Sequence, residues 1–232
     1  MSLRSVGRTV LVAATALVIV GSATAAVTDL SALVEPYQKA SGDQALGIVA
    51  AKAYMEPSRG GAEPTPQTAV SLVLLPYSAA LEADLDAVKA GLRDSADSYI
   101  RAVGAIEAVR VDYEKGLVAA GAGELVRNEA TDARGLAEIT GLPAGDWLLL
   151  AWREGGHQSK ELKVRDLDAK RYPDIPTTLT YSMVTYWRSR VAVRKGETVE
   201  VSLSDRNVWM TAPRQEGGTP KPPRPQAPKK RR

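Results

Sequence analysis

Acid–base chemistry in this chain can start from one imidazole only. His157 stands in Arg153-Glu154-Gly155-Gly156-His157-Gln158-Ser159-Lys160, a glycine-containing stretch that reads as a loop. A histidine beside a carboxylate such as Glu154 can relay a proton. Ser159 is too close along a loop to act as that base's nucleophile, and no G-x-S-x-G context surrounds it. The plainer reading makes His157 an exposed turn residue. Arg188, Arg190 and Arg194 form a second group. On one strand face near Tyr186 they would suit a carboxylate or phosphate, or simply keep a solvated face soluble. Tryptophans supply the third. Trp147 and Trp152 read as core, whereas Trp187 and Trp209, if exposed, suit a carbohydrate or protein contact. No catalytic residue is expected, and the candidate binding residues are Arg188, Arg190, Arg194, Trp187 and Trp209.

The residue types exclude much else. Without cysteine there is no disulfide, thiolate nucleophile, iron–sulfur cluster or Cys-based zinc site. One His with carboxylates such as Asp166 and Asp168 would suit only an oxygen-rich ion, and no calcium-loop spacing is present, so no metal site is expected. Neither a phosphate-cradling glycine loop nor a cofactor motif occurs, so no cofactor is expected. An apolar content of 44% and a charged content of 25% are those of a soluble globular protein.

Both ends differ from the body. Residues 1–25 read as a signal peptide, with Arg4 and Arg8 before an apolar run from Thr9 to Val20. Ala23-Thr24-Ala25 is a small-x-small site that places cleavage before Ala26. The run is too short to span a bilayer. Export by the general secretory route of a bacterium follows, to the periplasm or outside the cell, with no transmembrane segment in the mature chain. Residues 212–232 hold Pro213, Pro220, Pro222, Pro223, Pro225 and Pro228, which predicts a disordered, solvated tail. Arg214, Lys221, Arg224, Lys229, Lys230, Arg231 and Arg232 against Glu216 give it a net +6. With +2 in the first 25 residues and +3 overall, residues 26–211 carry −5. A mildly acidic body argues against nucleic acid as a partner. The tail's Lys221, Arg224, Lys229, Lys230, Arg231 and Arg232 read either as a solubilising extension or as a tether to an anionic envelope polymer or lipid headgroups.

Two periodicities alternate between the ends. Gly47 to Met55 and Ala69 to Leu74 read as strands, around a Gly- and Pro-rich loop from Pro57 to Gln67. Residues 26–46 have helical spacing that Pro36 would interrupt. From residue 78 to 120, apolar residues from Leu81 to Leu117 recur at three and four. A helical hairpin breaking near Asp94-Ser95 is favoured over one long helix, because the chain must come back. Beyond Gly121, period two returns. Leu125–Ala130 and Leu136–Thr140 read as strands around a Thr131–Gly135 turn, with a second turn over Gly141–Gly145. Asp146 to Arg153 is apolar on both faces, so it should be central and covered twice. Strands on either side of a Lys195-Gly196 hairpin turn complete a mainly β, antiparallel sandwich over residues 26–211 with a helical insertion at about 78–120.

Thr131-Asp132-x-x-Gly135, Ile139, Leu142-Pro143-x-Gly145-x-Trp147 and Leu149 resemble the carboxypeptidase regulatory-like domain of the transthyretin-like (prealbumin-like) superfamily. The resemblance implies a seven- or eight-stranded sandwich, usually a non-catalytic module of exported or surface proteins. Ala137 departs from the family's aromatic, and residues 78–120 have no counterpart in a minimal domain. The enzymatic transthyretin-like branch needs several histidines and a C-terminal Tyr-Arg-Gly-Ser, which this chain lacks. The leading expectation is an exported binding or scaffolding protein whose partner is an unidentified envelope protein or anionic envelope polymer. Alternatives are a carbohydrate-binding module using Trp187 or Trp209, and a hydrolase using His157 or a carboxylate pair.

Overall fold

The computed structural model describes residues 30–57, 62–161 and 176–220. The signal-peptide residues 1–25 and the tether residues from Lys221 onward lie outside this range. In order the chain forms α1 (Ser31–Gly42), β1 (Leu46–Met55), β2 (Thr65–Pro66), β3 (Ser71–Pro76), α2 (Ala79–Gly91) and α3 (Ala96–Ala119). A 3-10 turn (Gly123–Leu125) then leads into β4 (Arg127–Ala130), β5 (Leu136–Pro143), β6 (Gly145–Glu161), β7 (Pro176–Val193), β8 (Thr198–Ser204) and β9 (Met210–Pro220).

The strands make two sheets. One is centred on β1, which pairs antiparallel with β2 and β5 and parallel with β8; the other runs β4-β3-β6-β7-β9, all antiparallel. The strand that is apolar on both faces is central, as its composition requires. Trp147 through Ala151 are buried in β6, and Leu72 through Leu75 in its neighbour β3. Register sets Val73 opposite Leu150 and Ser71 opposite Trp152, so these side chains share a face. Arg110 of α3 lies 5.4 Å from the Trp152 ring, which makes this the helix-covered face. The opposite face carries Leu72, Leu74, Trp147, Leu149 and Trp187. It packs on the β1 sheet, through Val49, Ala51, Ala53, Ile139 and Leu203.

The helical insertion breaks where the sequence suggests. Ser78 caps α2 by accepting from the Leu81 amide at 3.5 Å, and Ser95 caps α3 by accepting from Ser98 at 3.0 Å. Leu81, Leu85, Val103, Ile106 and Leu117 are buried, each contributing about 2 kcal/mol of apolar burial. The ambiguous N-terminal stretch forms α1 with Pro36 inside it.

Four expectations are corrected. Residues 153–160 are not a loop: β6 continues to Glu161 beside β7, with His157 opposite Ser182, and a bulge between Glu154 and His157 absorbs the two glycines. Strand β9 takes in residues 212–220 of the presumed tail. It lies at the sheet edge, where Pro213 and Pro220 need no second ladder. The Gly141–Gly145 turn is shorter, since β5 reaches Pro143 and β6 starts at Gly145. The Lys195-Gly196 turn does not close a hairpin: β7 and β8 lie in different sheets of the mainly antiparallel sandwich, and β8 runs parallel to β1, from Ile48 opposite Thr198 to Tyr54 opposite Ser204.

Gly135 has φ +74°, and a Cβ there would stand 2.3 Å from the Ala53 carbonyl oxygen. Gly141 has φ +67° with nothing within 4 Å. Gly135→Ala should therefore cost more than about 3 kcal/mol in denaturant unfolding, and Gly141→Ala only about 1 kcal/mol. Equal losses would show that the backbone clash at Gly135 is relieved without cost.

Candidate binding surface

Register places Tyr186, Arg188 and Arg190 of β7 in the row that faces the helices. Arg188 is largely covered, with 14% of its side chain exposed. It pairs with Asp86 at 2.9 Å and Glu82 at 3.6 Å, both from α2, and stacks 4.7 Å from the Trp209 ring. Lys89 approaches the same ring at 5.4 Å. Arg190 pairs with Asp146 at 2.6 Å and lies 3.9 Å over the Tyr77 ring, and the Tyr77 hydroxyl donates to Glu82 at 2.8 Å. Arg194 lies beyond the end of β7, where its carbonyl accepts from the Glu197 amide. The three arginines thus form no shared anion cradle: two already face three carboxylates, and the third is off the strand.

The tryptophans are also engaged. Trp187 is 2% exposed and its indole N–H donates to the Ser204 carbonyl at 2.7 Å, so it is core. Trp209 is half-buried, with both Arg188 and Lys89 on its ring. Its indole N–H is buried and has no hydrogen-bond partner among the described residues. Neither offers the free, flat ring that a sugar would stack on. His157 is exposed on a strand, opposite Ser182, whose hydroxyl bonds Glu154.

What the sequence does not reveal is a groove between α3 and β9. It has a volume of about 980 Å³, with Ile100, Val103 and Gly104 on its helical side and Glu107, Arg214 and Gln215 along its rim. Nothing lies within 4 Å of where a Gly104 Cβ would be, so the helix is cut away there. Arg214 fixes the other wall, pairing with Glu107 of α3 and, at 2.8 Å, with Glu154 of β6. Arg214 and Gln215 are consecutive on the edge strand β9, so the lining on that side comes from one short stretch of the strand. The one sequence signal was Ile100, an apolar residue on α3 that stays 36% exposed.

No family model matches the sequence, and neither does any curated protein. Three solved structures align at low identity. A proposed carbohydrate-binding protein from Pseudomonas aeruginosa is 12% identical, with a TM-score of 0.33 over 69% of this chain and 88% of that one. A minor pilin from Streptococcus agalactiae is 13% identical, with a TM-score of 0.27 over 76% and 99%. A pilus backbone protein from Streptococcus pneumoniae is 13% identical, with a TM-score of 0.24 over 68% of this chain and 41% of its own length. With scores this low, the fold is defined by the strand pairings above rather than by these likenesses. Among the described residues, no helix is long and apolar enough to cross a membrane.

Tyrosines show how dry the helix–sheet interface is. Burial pushes the Tyr186 hydroxyl up to about 12, with nearby Glu107 adding to the effect. Burial likewise raises Tyr113, whose hydroxyl donates to the Pro76 carbonyl at 2.8 Å. In the unfolded chain these groups ionise near pH 10. The folded state therefore holds their protons longer, and their contribution to stability is complete below pH 10 and lost as pH rises toward 12. Thermal melts should fall progressively across that window, and Tyr186→Phe should flatten the fall. A melting temperature independent of pH there would contradict the burial of these hydroxyls.

Proposed function

We propose that this protein is an exported, non-catalytic binding or scaffolding module of the bacterial envelope, built as a carboxypeptidase regulatory-like sandwich with a helical insertion. The observation that carries the reading is the groove between α3 and β9, whose two walls the Arg214–Glu107 pair ties together while the Arg214–Glu154 pair fixes Arg214 to β6. The partner that fits is an extended segment of an envelope protein. It would add to the outer edge of β9 between Pro213 and Pro220, which have no N–H to donate, and seat an apolar side chain beside Ile100 and Gly104. Of the arginines first considered for binding, Arg188 serves as a clamp between α2 and the sheet.

The basic residues from Lys221 onward complete the reading as an electrostatic tether, each contributing up to about 1 kcal/mol near an anionic surface. The two contacts separate by salt. Debye screening shortens from about 30 Å to about 10 Å between 0.01 and 0.1 M, which releases a tether but not a strand pairing. In co-sedimentation with isolated envelopes, residues 26–232 should bind more than 26–220 at low salt and lose that excess at 0.1 M. The fraction that survives salt should fall at least several-fold in Gly104→Trp, which fills the groove from an open helix face. Salt-resistant binding unchanged by Gly104→Trp would remove the groove from the reading. Equal binding of the two lengths at low salt would remove the tether.

A further inference from the structure

Helix α1 has a well-closed C-terminus but a weak start and a break in its middle. Its N-cap, Leu30, makes no side-chain bond, no acidic residue stands in its first turn, and Pro36 removes a backbone donor from its interior. Its C-terminus is closed by a Schellman turn, in which the Gln44 and Ala45 amides donate to the Ser41 and Ala40 carbonyls with Gln44 at φ +52°, so the weakness lies in the start and middle of the helix. Twelve residues with an uncapped start and an internal proline do not stay helical alone.

The helix is held by its seat. Leu30, Val34 and Tyr37 are buried, and the Tyr37 ring meets Trp147 edge-on, 5.2 Å between centroids at 81°. Gly145 lets the ring lie flush: a Cβ there would be 2.6 Å from it. The Tyr37 hydroxyl donates to the Asp146 carbonyl and accepts from the Tyr77 amide at 3.2 Å. That amide also donates to the Asp146 carbonyl at 2.9 Å. Tyr77 is where β3 passes into α2, and its own hydroxyl holds Glu82 in the first turn of α2. Arg190 closes the junction by covering the Tyr77 ring and binding the Asp146 carboxylate. Tyr77 and Asp146 therefore serve α1 and the start of α2 at once.

We propose that α1 is a strap that folds only when seated, and that its release loosens the first turn of α2 while the sandwich stays closed. The coupling runs through the Tyr37–Tyr77–Asp146 junction, so whatever unseats Tyr37 acts on the helical insertion. Residue-resolved native-state hydrogen exchange on the whole chain tests this, comparing Tyr37→Ala and Tyr37→Phe with the parent. Amides of α1 should exchange at least tenfold faster in Tyr37→Ala, those of Leu81 and Glu82 several-fold faster, and Val49 and Ala51 in β1 at the parental rate. Tyr37→Phe keeps the ring on Gly145 and should show the same order at smaller amplitude; it decides the matter if the alanine variant does not fold. Equal acceleration at all these amides would reduce Tyr37 to a general stability contact and overturn the strap. Acceleration confined to α1 would overturn the coupling to α2.

Discussion

A strand that is apolar on both faces cannot lie at a surface, and β6 and β3 are two such strands side by side. Leu72 to Leu75 and Trp147 to Ala151 form an unbroken apolar slab that must be covered from above and below. The β1 sheet covers one side, with small side chains such as Ala51 and Ala53 that let the two layers approach closely. The other side has no second sheet to cover it, and α2 and α3 supply the missing layer. The insertion is therefore structural before it is anything else. Charged pairs such as Arg188 with Asp86, and Arg214 with Glu154, sit at the margins of that layer. Partly exposed pairs of this kind contribute little to stability individually, and their effect is to set where the helices sit on the slab.

Features that depend on local geometry were legible in the sequence. The double apolar pattern from Asp146 to Arg153 announced a central strand, Ser95 marked the start of α3, and Gly135 stands at positive φ in its turn. Features that depend on a distant neighbour were not. Gly155 and Gly156 look like a loop until β7 provides a ladder that accepts them as a bulge. Pro213 looks like a strand breaker until β9 is found at an edge. Alternating Val199 and Val201 fit either strand direction equally well, so the parallel pairing of β8 with β1 left no local trace.

The same division explains the candidate site. Arginines at every second position of a strand suggest a solvated or anion-binding face, because the sequence does not show what will lie against them. The partners of Arg188, Glu82 and Asp86, come from α2, about a hundred residues earlier, and turn that side chain inward. Trp187 lies on the opposite face of β7, in the inter-sheet core. The groove is a property of neither α3 nor β9 but of the gap between them, and a gap has no sequence.

The parallel partnership of β1 and β8 carries a consequence in time. Apart from the two-residue β2 at its far end, the strand that begins at residue 46 has neighbours that start at residue 136, in β5, and residue 198, in β8. Loop closure over such separations is slow, and sheets dominated by distant pairings form late. The β1 sheet cannot close until nearly all of the described chain is available, whereas α2, α3 and the β6–β7 ladder can form from neighbours. A chain emerging from its N-terminus will thus hold β1 as a largely unpaired apolar segment for most of its synthesis. That delay leaves Val49 to Ala53 as the stretch most in need of protection until the last strands arrive.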